Sequence, residues 1–122
     1  LKTVKGIFEM AQRENILNTK INKELKQLLE DRGIDVDKIV IFGSYARGTE
    51  KMDSDIDLII VSKAFRNKSI FERVELTTGI GRKLVKTFKK PFDLMFYSDL
   101  EWEHGRSTII DAARHEGNIL HG

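Results

Sequence analysis

The chain of 122 residues contains no cysteine. That excludes disulfides and any thiolate metal centre, and it fits the reducing cytoplasm expected for this protein. No apolar stretch approaches the roughly 18 residues of a membrane span, and no signal sequence is visible, so no membrane role is expected. Net charge is nearly absent too: 21 Lys and Arg against 19 Asp and Glu leave +2. A globally basic nucleic-acid surface is not indicated, and any nucleotide must be held by local chemistry. Repeats, linkers and low-complexity tracts are missing. What remains is 40% hydrophobic and 33% charged, the composition of an ordinary globule. One domain spanning 1–122 is expected, with a helical segment over 1–33 and a motif-bearing core over 36–120.

In the first third, Ile16, Leu17, Ile21, Leu25, Leu28 and Leu29 recur at helical intervals and Gly33 supplies a stop. Val4, Ile7, Phe8 and Ala11 continue a weaker stripe before it. Residues 38–43 and 56–62 read as buried strands joined by a loop too short for a parallel crossover, hence an antiparallel pair. A helical segment over about 69–88, irregular at Gly79 and Gly81, is long enough to return the chain in parallel to a third strand, Phe92 to Tyr97. Ser98-Asp99-Leu100-Glu101 matches a capping box. A second short helix from Ser107 to His115 and a small edge strand at Ile119-Leu120 complete an α/β mixed sheet flanked by helices.

The chemistry-bearing pattern sits on the first two strands. Gly43-Ser44-Tyr45-Ala46-Arg47-Gly48 follows one apolar run, and Asp55-Ile56-Asp57 opens the next. Alternation along a strand turns Asp55 and Asp57 to one side, their carboxylates about 6–7 Å apart. That spacing suits a divalent cation. Aspartate is depleted in strands and two on one face repel, so solubilising charge explains the pair poorly. Gly43 and Ser44, at a strand end where a short helix is expected to begin, offer backbone N–H groups and a hydroxyl to phosphate.

Other motifs fail on the same residues. A P-loop has the right gap from Gly43 to Gly48, but Thr49 replaces the required lysine. An EF-hand starting at Asp53 needs glycine at Leu58 and glutamate at Ala64. Gly79-Ile80-Gly81 lacks the third glycine of a dinucleotide fingerprint. His104, His115 and His121 lack metal-ligand spacing, Trp102 reads as helix packing rather than a base-stacking platform, and Lys86–Lys90 reads as a solvated face.

Phe42-Gly43-Ser44, ten residues, then Asp55-Ile56-Asp57-Leu58 resembles the signature of the DNA polymerase beta-like nucleotidyltransferase superfamily. The Gly-Ser-Tyr-Ala-Arg-Gly wording resembles its minimal nucleotidyltransferase branch. The resemblance implies a nucleotidyltransferase fold and a third carboxylate on a later strand, for which Asp93 is the match. It implies transfer of AMP from ATP, or from another nucleoside triphosphate, to a hydroxyl, with two Mg²⁺ ions held by Asp55, Asp57 and Asp93. Asp93 would also take the acceptor's proton. Gly43 and Ser44 would hold the β- and γ-phosphates. Arg47 stands where it would steady them, though an exposed helix arginine explains it equally. Minimal members are often encoded beside a HEPN-domain protein, and some act as antitoxins that adenylylate that toxin. A HEPN-type partner and a homo- or hetero-oligomer are therefore implied. A module that neutralises its partner by contact and a nucleic-acid-directed transferase are the alternatives. Retention of all three aspartates argues against the first, modest charge against the second.

Overall fold

A computed structural model describes residues 3–47 and 54–122, with the side chains of Ser44 and Arg47 left outside the description. The chain opens with helix α1, Val4–Glu30, capped by the Thr3 hydroxyl, which accepts from the Gly6 N–H at 3.0 Å. Ile21, Leu25 and Leu29 recur every fourth residue on α1 and are fully buried, whereas Val4 and Phe8 near its start are 86% and 61% exposed. The strong half of the sequence stripe therefore carries the packing. The helix ends in a Schellman motif. Gly33, in the left-handed region, donates to the Glu30 carbonyl at 2.9 Å, and Ile34 donates to the Leu29 carbonyl at 3.0 Å.

Four strands follow: β1 Lys38–Phe42, β2 Ile56–Val61, β3 Phe92–Tyr97 and β4 Asn118–His121, in the spatial order β3-β2-β1-β4. β1 pairs antiparallel with β2 and β4, while β2 and β3 run parallel. The sheet is mixed, as expected. Between β1 and β2 lies the short helix α2, Ser44–Arg47, and after β2 come a 3₁₀ turn, Lys63–Phe65, and helices α3, Ile70–Leu76, and α4, Ile80–Phe88. Helices α5, Asp99–His104, and α6, Thr108–Glu116, precede β4.

Alternation assigns the two faces of the sheet. Ile39, Ile41, Ile56, Leu58 and Ile60 pack with α1 and α4 through Ile21, Leu25, Leu29, Ile80 and Leu84. Val40, Ile59 and Val61 pack with Trp102, Ile110 and Ala113 of α5 and α6. Trp102 is thus a core residue, with the Arg114 guanidinium 5.7 Å from its ring.

The single helix expected over 69–88 is two. The Thr77 and Thr78 hydroxyls donate back to the carbonyls of Arg73 and Val74 at 2.8 and 3.1 Å, competing with the helical ladder, and Gly79 then adopts φ +84°. The break turns Arg73 against the outer edge of β3. Its guanidinium donates to the Phe96 carbonyl at 2.9 Å and the Lys68 carbonyl at 3.0 Å, and pairs with Glu101 at 2.7 Å. A cavity of about 250 Å³ lies there, lined by Ile70, Val74, Met95, Tyr97 and neighbouring residues. Burial works to raise the Glu101 carboxyl, but the Ser98 N–H, Arg73 and the Ser98 hydroxyl outweigh it and hold Glu101 below the usual glutamate range. The expected capping box is present: the Ser98 N–H donates to Glu101 at 2.9 Å and the Glu101 N–H to Ser98 Oγ at 3.1 Å.

Candidate active site

The end of the sheet where β1 finishes and β2 and β3 begin collects the chemistry-bearing residues. Phe42 is the register partner of Asp57, and Asp57 is the register partner of Asp93. The three form one row across the sheet, on the α5/α6 face with Ile59, Val61, Met95 and Tyr97. Neighbouring strands lie about 4.8 Å apart, so the backbones of Asp57 and Asp93 sit side by side. Asp57 is half-buried and Asp93 exposed.

Gly43 follows Phe42 directly and turns the chain into α2 with φ +75°. A Cβ built on it would collide with the Asp57 carboxylate. The left-handed backbone favours glycine, and any larger residue would also shift the Asp57 carboxylate. Gly43 is thereby brought against Asp57, the adjacency that antiparallel pairing of β1 and β2 predicts.

Asp55 differs from expectation in one respect. It lies ahead of β2 in no regular element, and it is exposed. The strand begins at Ile56, whose N–H donates to the Pro91 carbonyl at 2.9 Å. Among the described residues, no three His, Cys, Asp or Glu side chains converge as a metal-binding group. The structure pairs Asp57 with Asp93 and leaves Asp55 two residues away along the chain. Gly48 and Asp53, and the side chains of Ser44 and Arg47, lie outside the described residues.

As register partners on adjacent strands, Asp57 and Asp93 offer carboxylate oxygens side by side. Mg²⁺ takes oxygen ligands, commonly one or two carboxylates together with substrate phosphates, so this donor set fits it. The surroundings also include a residue that sequence reasoning placed in solvent: Lys90, whose Nζ lies 6.0 Å from the centre of the Tyr45 ring beside the Gly-Ser turn. The two are 45 positions apart, and no local pattern signals their meeting.

The model of the nucleotidyltransferase domain matches residues 19–115 of this chain, from the packed half of α1 through α6. The chain belongs to this family. Two relatives of the nucleotidyltransferase domain, from Methanocaldococcus jannaschii, are named putative protein adenylyltransferase. MJ0141 is 36% identical over 95 residues, 78% of this chain and 86% of that protein. MJ1305 is 37% identical over 57 residues, 47% of this chain and 39% of that protein, so the chain spans well under half of the latter's length. Among solved structures, a toxin-antitoxin with AMP-PNP superposes with a TM-score of 0.58 at 26% identity, covering 82% of this chain and 72% of that one. The fold is thus that of other nucleotidyltransferases, and among the described residues no helix is long and apolar enough to cross a membrane.

Proposed function

We propose that the chain is a Mg²⁺-dependent adenylyltransferase that moves AMP from ATP to a hydroxyl on a partner protein. The observation that carries this is the row Phe42–Asp57–Asp93, with the Gly43 backbone pressed against Asp57. Asp57 and Asp93, with Asp55, would hold the metal, which when bound supplies charge stabilisation to the transferring phosphoryl group. The protein's own part is positioning. Backbone N–H groups after Gly43, with Ser44, receive the β- and γ-phosphates. Asp93, exposed at the start of β3, accepts the proton of the acceptor hydroxyl as its oxygen bonds to the α-phosphorus and pyrophosphate departs.

The names of the two archaeal relatives support protein adenylylation, and the AMP-PNP complex of a toxin-antitoxin supports both the nucleotide and a protein partner. The exposure of Asp55 and Asp93 supports an acceptor that arrives from outside the domain. A HEPN-type toxin is the partner that the motif resemblance implies. Incubating the protein with α-labelled ATP, Mg²⁺ and its co-expressed partner tests the reading. Label and an added AMP mass on the partner, absent with Asp57→Asn, are expected. Equal silencing of the partner by wild type and Asp57→Asn without any adduct would instead show neutralisation by contact.

A further inference from the structure

The near-zero net charge conceals a polarised molecule. Residues 79–91, covering α4 and its link to β3, hold five cations (Arg82, Lys83, Lys86, Lys89 and Lys90) and no acid. Residues 99–116, covering α5 and α6 on the opposite face, hold five acids against two arginines. Packing explains the basic strip. Ile80 and Leu84 are buried and Phe88 half-buried at four-residue intervals, and a Cβ on Gly81 would lie 3.7 Å from Leu94 of β3. Arg82, Lys83, Lys86 and Lys89 are left exposed. Among the described residues, none of these four pairs with a carboxylate. Like charges at this spacing repel one another by a few tenths of a kcal/mol per pair, so the strip is costly without a counter-charge.

Its position links it to the active site. Lys89 and Lys90 lead through Pro91 into β3, and chain reach keeps the backbone of Lys90 within about 11 Å of Asp93. Asp93 is on the α5/α6 face, so an acceptor with a hydroxyl there reaches α4 only by passing over this end of the sheet, beside Lys89 and Lys90.

We infer that the exposed face of α4 is an electrostatic docking strip for an acidic segment of the acceptor protein. The acceptor's role rests on the adenylyltransferase reading; the charge complementarity does not. Protein is favoured over nucleic acid. The strip exposes no aromatic ring for base stacking, since Phe88 packs against Phe92 with ring centres 5.9 Å apart. Val85, 41% exposed, instead offers an apolar contact beside the cations.

Fluorescence anisotropy tests this with three tyrosine-bearing peptides of equal length, flanked by glutamate, glutamine or lysine, and an RNA oligonucleotide matched in charge to the acidic peptide. Titrations use the full chain at low and high salt, with ATP affinity measured in parallel. The acidic peptide is expected to bind at least about tenfold tighter than the glutamine one at low salt, a margin within what steering charges supply. Lys83→Glu with Lys86→Glu should abolish the preference and leave ATP affinity within twofold of wild type. Lys83→Gln with Lys86→Gln repeats the test should charge reversal impair folding. Equal binding of acidic and neutral peptides, tighter binding of the RNA, or a preference that survives both double variants overturns the proposal. Acidic preference in a protein that binds no ATP would refute the enzyme reading and leave the docking strip standing.

Discussion

Asp57 and Asp93 share a row, and the proposed function gives them different duties because their surroundings differ. Asp57 is half-buried under Gly43, whereas Asp93 is exposed where an acceptor can reach it. Asp93→Asn should therefore retain most ATP binding while AMP transfer falls by about 10²–10⁴-fold, the range for loss of a general base. Parallel calorimetry and label transfer would show the split, and transfer at the wild-type rate would remove Asp93 from the catalytic set. Gly43→Ala should behave otherwise. The φ of +75° costs alanine about 1–2 kcal/mol, and the new Cβ displaces the Asp57 carboxylate. A modest loss in thermal stability with near-complete loss of Mg²⁺-dependent ATP binding is expected, and unaltered binding would contradict the close approach.

Among the elements, the junction of α3, β3 and α5 concentrates the most testable energetics. Arg73 satisfies the Phe96 and Lys68 carbonyls and the Glu101 carboxylate together. Arg73→Ala should destabilise the fold by about 1–3 kcal/mol in denaturant titrations, because it removes the partner of two part-buried carbonyls. Glu101 is held below its ordinary range, so its contribution is present above the usual glutamate pKa and is lost as pH falls through the depressed one. Wild type should accordingly lose more stability than Glu101→Gln when taken from neutral pH to below the carboxylate range. Equal losses would show that the pair is idle.

This junction also marks where the sequence stopped being legible. The strands, their pairing and the capping box at Ser98 could be read because alternation and caps are local signals. The irregularity at Gly79 could be read too, but not the full break into α3 and α4, since that depends on threonine hydroxyls choosing carbonyls one turn back. Strand alternation was expected to turn Asp55 to the same side as Asp57, but β2 begins at Ile56, as its expected bounds have it, and Asp55 lies outside regular structure. Contacts such as Lys90 with Tyr45, or Arg73 with Phe96, join distant positions and leave no trace in local pattern.

At the scale of the whole molecule, a four-stranded mixed sheet carries helices on both faces and gathers its motif residues at one end. The basic α4 packs on one face of that sheet and α5 and α6 on the other. The central claim is that the Asp57–Asp93 row joins metal and triphosphate in one site. Calorimetric titration of ATP into wild type and Asp57→Asn, each with and without Mg²⁺, tests it most directly. Mg²⁺ should tighten ATP binding to wild type by at least about tenfold, equivalent to about 1.4 kcal/mol, and should have little effect on Asp57→Asn. Equal ATP affinity under all four conditions would contradict the account.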